Sequence, residues 1–283
     1  MVRRTLAGEV CIEGIALHAG VRTKARLHPA EPDTGIVFQR CDLPAGHPIP
    51  ALWSNVTETQ LGTVVTNEDG ATIGVIEHLM SALAGADIDD CLVEVDGPEP
   101  PILDGDAMCF LRPILQVGLR DQVGDRPKLF VRRPVEVHAD DASCGLYPDD
   151  NTKYNFVIDF ESAAIGRQEF TFVFSCRAFE KEIAPARTFG FLKDAEALRA
   201  VGLAKGANLS NTLVIDQARV VNADMLRFPD EFVRHKILDA IGDMKLAGYP
   251  IAGRFEGRRS SHSLNNALLK ELFSDPSNYE ISI

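Results

Sequence analysis

Apolar side chains recur at steps of three and four residues in the stretch EFVRHKILDAIGDM, at residues 231 to 244. This spacing is typical of an amphipathic helix, which we predict over residues 231 to 247. The apolar stripe consists of Val233, Ile237, Ile241 and Met244. On the opposite side His235, Asp239 and Asp243 lie four residues apart, next to the apolar Phe232. We therefore expect a largely buried helix that carries an imidazole and two carboxylates in a row.

Elsewhere the pattern predicts an α+β protein, in which short strand-like runs alternate with turn signals and with a few helices. The runs that predict strands are GIALHAG, KARLHP, GIVFQR, CLVEVDGPEPPI, LFVRRPVEVHA, YNFVIDF, QEFTFVF and LVIDQARVV, and TQLGTVVTNEDGATIGV predicts a hairpin with its turn at Asp69-Gly70. Further helices are predicted for VIEHLMSALAGA, AMCFLRPILQVGL, FLKDAEALRAVGL and the segment after SHSLNN. Residues 121 to 128 are polar and contain Gly and Pro, so we predict domains over residues 1 to 122 and 128 to 283.

The two predicted domains share one weak spacing match. His78 precedes Gly85 by seven residues in the first half, and His235 precedes Gly242 by seven residues in the second. A single match of this kind is also compatible with chance. If it reflects duplication, it predicts two similar β-rich units, each with a histidine-bearing helix, and a site between them.

Charge and cysteine content exclude some classes of function. The net charge of −12 opposes the phosphate neutralisation on which nucleic-acid binding depends, so we expect no nucleic-acid partner. Six cysteines without any CxxC pair predict reduced, scattered thiols. The chain shows no signal peptide and no run of about 20 apolar residues, so we expect a cytoplasmic protein without stable membrane insertion. Transient contact with a membrane surface remains open.

The pair His235 and Asp239 is the first candidate for chemistry. Side chains at i and i+4 of a helix lie one above the other, so both could bind one borderline metal ion such as Zn²⁺. A hydrogen-bonded His–Asp pair is the alternative.

Two further histidines are candidates. His78 follows Glu77 in an otherwise apolar helix, and both polar side chains need partners there because burying them unpaired is costly. A buried salt bridge is the alternative for this pair. His262 lies in a polar loop, which suits either acid–base chemistry or a plain surface position.

Taken together, these residues predict a catalytic zinc site. His78, His235 and Asp239 would supply three ligands and leave the fourth position for water. Glu77 could then act as the general base, and His262 as the acid that Asp243 orients. The remaining histidines are expected at the surface or at strand edges. They are His18, His28, His47 and His138.

These residues lie in motifs that span nearly the whole chain, namely GIALHAG, VIEHLMSALAG, PILDGDA, ARTFGF, EFVRHKILDAIGD and SHSLNN. In this order the chain closely resembles the UDP-3-O-acyl-N-acetylglucosamine deacetylases, the zinc amidases of lipid A synthesis. The resemblance implies two β-α-α-β sandwich domains with the active site between them and an insert in each domain. It also implies that His78, His235 and Asp239 are the zinc ligands. It further implies Glu77 as general base, His262 as general acid or oxyanion-facing cation, Thr188 as an oxyanion donor, and Asp243 as the carboxylate that orients His262.

The substrate side follows from the same resemblance. Lys236 and Arg259 match basic positions near the diphosphate, and Phe160 matches an aromatic position near the uridine. The insert near residues 190 to 215 would form an apolar passage for the acyl chain, although ordinary helix packing is the alternative for its residues. The implied substrate-binding set is Lys236, Phe189, Arg259, Phe160, Leu61, Leu198, Leu203 and Ala207.

Two positions depart from the family pattern. Ser261 replaces the usual glycine before His262, and it would cost about 1 kcal/mol if that backbone requires a positive φ. Asp106 replaces a serine, and we expect no direct effect on the chemistry.

We predict removal of the N-acetyl group from a UDP-linked, 3-O-acylated glucosamine by a monomeric enzyme that uses Zn²⁺, with Fe²⁺ as an alternative metal. There are two alternative functions. The chain could act as a related zinc amidase on another acylated nucleotide-sugar, or it could be a non-catalytic nucleotide-lipid binder with a structural metal.

Overall fold

Two β-sheets with helices between them make up most of the structure, a computed structural model that describes residues 2 to 44 and 46 to 283. The strands of the first half are β1 Val2–Leu6, β2 Val10–Ile15, β3 Arg22–Pro29, β4 Ile36–Arg40, β5 Ile49–Pro50, β6 Val56–Glu58, β7 Val64–Thr66, β8 Thr72–Ile73, β9 Cys91–Val95 and β10 Leu119–Asp125. Those of the second half are β11 Lys128–Val131, β12 Val135–Ala139, β13 Ala142–Tyr147, β14 Thr152–Asp159, β15 Arg167–Val173, β16 Phe189–Phe191, β17 Leu213–Asp216, β18 Arg219–Val220, β19 Ile251–Arg258 and β20 Tyr279–Ser282. The helices are α1 Glu77–Gly85, α2 Met108–Val117, α3 Cys176–Ala178 with a π-turn at Phe179–Ile183, α4 Leu192–Ala200, α5 Glu231–Lys245 and α6 His262–Ser274.

The first half is built on a five-stranded sheet with the order β2-β3-β9-β4-β5. Alternate residues of β3 and β9 are buried, as expected for strands that cover a core with one face. The buried apolar residues of α1 and α2 belong to the same core. A small sheet, β6-β7-β8, carries the loop that precedes α1.

The second half is built on a seven-stranded sheet in which β19 is central. It pairs with β13 and β14 along most of its length, and with β11 at its beginning. Helices α5 and α6 pack against each other and against this sheet. The insert between β15 and α5 contributes the separate sheet β16-β17-β18. The predicted α+β fold, with helices packed on each of two main sheets, is confirmed.

Helices α1 and α5 pack side by side where the two halves meet. This contact requires Gly242, because a Cβ atom there would lie 2.1 Å from the carbonyl oxygen of Glu77. At Gly85 a Cβ atom would lie 2.1 Å from the ring of Phe179. The two glycines that follow the histidines by seven residues are therefore positions of close packing.

Some sequence predictions were wrong about strands. The strand predicted at residues 14 to 20 lies earlier, as β2, because the chain turns between the N–H of Ala16 and the carbonyl of Val21 and passes Gly20 at φ +68°. Residues 121 to 125, predicted as a polar linker, continue β10, which pairs with β1. The division into domains at residues 122 and 128 stays a prediction. No helix of the described ranges has the length and apolar character needed to cross a bilayer.

Candidate metal centre and active site

Three potential metal ligands converge at the junction of α1 and α5. The side chains of His78, His235 and Asp239 are buried, and one ligand atom from each lies within 4.8 Å of the others. The Nε2 atoms of His78 and His235 lie 3.7 Å and 3.4 Å from the same oxygen, Oδ1 of Asp239. The structure therefore brings together the three residues that the sequence predicted as ligands.

The geometry and chemistry of these side chains fit a metal ion. The two Nε2–Oδ1 distances exceed those of ordinary hydrogen bonds. In a tetrahedral zinc site with bonds of about 2.1 Å, however, two ligand atoms lie roughly 3.4 Å apart. Nδ1 of His235 is 3.1 Å from the carbonyl oxygen of Ala186, to which it donates when Nε2 is the free nitrogen.

Burial keeps both imidazoles in the form that binds metals. It lowers the pKa of His78 to about 3, helped by the neighbouring His235, and it also lowers the pKa of His235. Burial alone would raise the pKa of Asp239, but His235 and the Lys236 ammonium outweigh it and lower that pKa. The site therefore presents two neutral imidazoles and a carboxylate, which are the deprotonated donors that a metal ion requires.

Glu77 lies next to this cluster on α1 and is only 3% exposed. Its Oε2 accepts a hydrogen bond of 3.0 Å from the N–H of Thr63, and its Oε1 lies 3.9 Å from Nε2 of His262. Burial raises the pKa of Glu77 to about 7, although the nearby His262 opposes the shift. A carboxyl group with this pKa can both accept and return a proton near neutral pH.

His262 is the first residue of α6 and faces the cluster from the other side. Its Nδ1 donates to Oδ2 of Asp243 over 2.8 Å, and its Nε2 lies 4.0 Å from Oδ2 of Asp239. Burial alone would lower its pKa, but the carboxylates of Asp243 and Glu77 raise it to about 9. The imidazole is therefore protonated at neutral pH, and its position is fixed by Asp243.

Thr63 is a further member of the site that the sequence did not reveal. Its hydroxyl donates to Oδ1 of Asp243 over 2.7 Å, while its N–H binds Glu77. It precedes β7 in a turn-rich segment that carries no motif of its own. What distinguishes it is contact with residues that are distant in the sequence, above all with Asp243 of α5, 180 residues away.

An apolar cavity of about 550 Å³ adjoins the metal cluster. Thr188 and Phe189 line it, and the ring of Phe189 lies 6.2 Å from that of His235. Of the predicted substrate-binding residues, the cavity wall also includes Leu61, Leu198 and Ala207. Leu203 is absent from this wall.

His18 is partly exposed and also lines this cavity, a position that its prediction as a surface or edge residue did not include. Its Nε2 lies 2.9 Å from the carbonyl oxygen of Leu61, and its Nδ1 accepts the N–H of Ala204 over 3.2 Å. The ring therefore connects the loop before β7 with the insert. The motif GIALHAG was the available signal, but the spacing of its residues did not predict this contact.

The other predicted substrate-side residues lie in different surroundings. Phe160 packs edge-to-face on Phe189, with ring centroids 5.7 Å apart, and so extends the aromatic wall outward. The ammonium group of Lys236 lies 2.7 Å from Oδ2 of Asp239. The guanidinium of Arg259 contacts the carboxylates of Asp141 and Asp159 at the surface.

The two departures from the family pattern have simple structural consequences. Ser261 has φ −133°, so no positive φ is required, and its hydroxyl accepts the N–H of Leu264 as the N-cap of α6. Asp106 is buried, accepts the N–H of Cys109, and forms an ion pair with Arg227. Neither change displaces a catalytic candidate.

Known proteins of one family resemble this chain over nearly its whole length. A family model described as UDP-3-O-acyl N-acetylglycosamine deacetylase matches residues 3–274. A UDP-3-O-acyl-N-acetylglucosamine deacetylase of Myxococcus xanthus is 46% identical over 279 residues, which cover 99% of this chain and 88% of the relative. The protein of the same name from Phenylobacterium zucineum is 44% identical over 282 residues, covering 99% of this chain and 96% of the relative.

Proposed function

The chain belongs to the family of UDP-3-O-acyl N-acetylglycosamine deacetylases, and on this premise we propose that it removes the N-acetyl group from a UDP-linked, 3-O-acylated glucosamine in lipid A biosynthesis. The products are acetate and the free amine of the UDP-3-O-acyl-glucosamine. The observation that carries this proposal is that Oε1 of Glu77 lies 3.9 Å from Nε2 of His262, beside three convergent metal ligands.

We propose Zn²⁺ as the metal of this site, with Fe²⁺ as the alternative in cells. Two imidazoles and one carboxylate are a donor set that suits either ion. When bound, the ion supplies Lewis acidity, which lowers the pKa of water and polarises the amide carbonyl. The three ligands come from both α1 and α5, so binding of the ion also joins the two halves.

Glu77 acts as the general base. Its Oε2 is held by the N–H of Thr63, so Oε1 remains available to accept a proton from the attacking water. The pKa of about 7 gives a large fraction of carboxylate at neutral pH and leaves it basic enough for proton transfer. The water oxygen forms a bond to the amide carbon as its proton passes to Glu77.

His262 acts as the general acid. An amide nitrogen leaves poorly unless it is protonated, and Nε2 of His262 carries a proton at neutral pH because the pKa of the imidazole is about 9. Asp243 holds Nδ1, so the ring presents Nε2 toward Glu77 and Asp239. The C–N bond breaks as this proton reaches the nitrogen, and acetate and the amine are released.

The cavity wall supplies the groups that bind the substrate. Thr188, which lines the cavity, would place its hydroxyl toward the developing oxyanion. Phe189 and Phe160 form an aromatic wall on which the uridine end could stack. The acyl chain would occupy the apolar part of the cavity, against Leu61, Leu198 and Ala207.

Two basic residues are proposed to meet the diphosphate. Lys236 and Arg259 already contact carboxylates, and a diphosphate would compete with Asp141 and Asp159 for the Arg259 guanidinium. We also propose a cytoplasmic monomer that contacts membranes only transiently, with domains over residues 1 to 122 and 128 to 283.

The alternative from another class is a nucleotide-lipid binder with a structural metal. A binder has no use for a base and an acid that face each other, so the Glu77–His262 pair favours the enzyme. The test is acetate release from the UDP-linked substrate, with metal content measured in the same samples. The variants are Glu77→Ala and, as a control in an exposed turn, Glu31→Ala.

We expect Glu77→Ala to retain metal and to lose turnover by orders of magnitude, while Glu31→Ala behaves as the unmodified chain. Undiminished turnover in Glu77→Ala would refute the assignment of the base. Metal retention without any acetate release by the unmodified chain would favour the binder. Release of acetate only from a different acylated nucleotide-sugar would favour the alternative substrate.

A further inference from the structure

Thr63 contacts the machinery of both proton transfers. Its N–H donates to Oε2 of Glu77 over 3.0 Å, and its hydroxyl donates to Oδ1 of Asp243 over 2.7 Å. The residue is 1% exposed, so water does not replace these bonds easily. Thr63 therefore binds the general base, Glu77, directly. It also binds Asp243, the carboxylate that holds the general acid, His262.

The bond to Asp243 determines how that carboxylate is oriented. Its Oδ2 accepts from Nδ1 of His262 and from Nδ2 of Asn265, each over 2.8 Å. Within the described part of the chain, Oδ1 is bound by the hydroxyl of Thr63 alone. Without this donor the carboxylate loses the contact that sets its rotation, and His262 follows it.

We propose that Thr63 is a positioning residue that sets the distance between the general base and the general acid. The amide fixes Glu77, while the hydroxyl fixes Asp243 and, through it, His262. The inference rests on the proposed function, because it assigns Thr63 a part in that same reaction. Its physical basis is that small displacements of catalytic groups cost much of the rate, whereas substrate affinity depends on other contacts.

The test uses the full-length, metal-loaded chain and compares Thr63→Val with Thr63→Ser. Valine has nearly the shape of threonine and keeps the N–H that binds Glu77, but it removes the hydroxyl. Serine keeps the hydroxyl and loses only the methyl group. The matched control is Thr66→Val in β7, where the hydroxyl bonds that of Thr57. The measurements are kcat, KM, metal stoichiometry and melting temperature.

We expect Thr63→Val to lower kcat by about 10- to 100-fold, the order of loss that follows when a side chain supporting an active-site group loses its hydrogen-bond partner. KM should stay within about twofold, and the metal content should be full. Thr63→Ser should retain most of the kcat of the unmodified chain, and Thr66→Val should leave kcat unchanged. If Thr63→Val does not fold, Thr63→Ala takes its place in the same comparison.

Three results would overturn the proposal. An unchanged kcat in Thr63→Val would show that the hydroxyl does not position the acid. Equal losses in the valine and serine variants, or loss of metal in parallel with rate, would indicate a packing role. Absence of acetate release by the unmodified chain would instead refute the proposed function and this inference with it, so the two failures are distinguishable.

Discussion

Replacement of Asp243 by asparagine removes the charge behind His262 and nearly preserves the shape of the side chain. Burial alone would lower the pKa of His262, yet it is raised to about 9 by Asp243, which supplies both charge and a hydrogen bond, and by Glu77. Compared with the ordinary value near 6.5, this difference corresponds to about 3 kcal/mol in favour of the imidazolium. Because Asp243 is the larger of the two raising influences, most of that stabilisation should disappear in Asp243→Asn.

The direction of the pH effect follows from the role of His262 as an acid. Turnover requires the protonated ring, so it declines as the pH rises through the pKa of His262. In the unmodified chain this basic limb should lie near or below pH 9, because a bound cation also disfavours the imidazolium. In Asp243→Asn we expect the basic limb to shift down by about one to two pH units, which narrows the bell-shaped profile.

The assay is kcat/KM for acetate release from about pH 5.5 to about pH 10, the range over which both limbs of the profile should be visible. The acidic limb reports Glu77 and should lie at or below about 7, since a bound cation favours the carboxylate. Asp275→Asn is the matched control, because this exposed carboxylate accepts the N–H of Ser277 and lies outside the active site. A basic limb that stays in place in Asp243→Asn would refute the claim that Asp243 sustains the imidazolium.

Three further predictions concern the metal, the buried base and the helix contact. His235→Ala should lose most of its metal by elemental analysis while circular dichroism is unchanged; full occupancy would contradict the ligand assignment. The raised pKa of Glu77, about 7, means that its stability contribution is complete below about pH 4.5 and is lost as the pH rises through 7. Glu77→Gln should therefore stabilise the metal-free protein at pH 8 by up to about 3 kcal/mol in thermal unfolding, and a lower melting temperature would contradict this. Gly242→Ala should destabilise the fold by about 1 to 3 kcal/mol, because its Cβ atom would meet the Glu77 carbonyl oxygen; an unchanged melting temperature would show that the helices separate freely.

The local patterns predicted the helices well and the strands less well. The 3.6-residue period of α5 and the apolar run of α1 were sufficient, because both helices are determined by short-range spacing. The strand β2 was misplaced because the chain already turns between Ala16 and Val21. The strand β10 was missed because its limits depend on pairing with the distant strand β1. The pairing of β10 with β1 joins residues more than 100 positions apart, a distance over which no local signal in a polar stretch can act.

The same limit separates the predictable from the unpredictable part of the site. His235 and Asp239 follow from i, i+4 spacing, but nothing local relates them to His78, and nothing local identifies Thr63. They are brought together by the close approach of α1 and α5. That approach depends on Gly242, because the carbonyl oxygen of Glu77 occupies the space that a Cβ atom would need. The seven-residue spacing from histidine to glycine, which resembled chance in the sequence, therefore has a physical role in the second half. Because glycine has no Cβ atom, the two helices can approach each other closely, and at that separation the Nε2 atoms of both histidines lie near the same carboxylate oxygen.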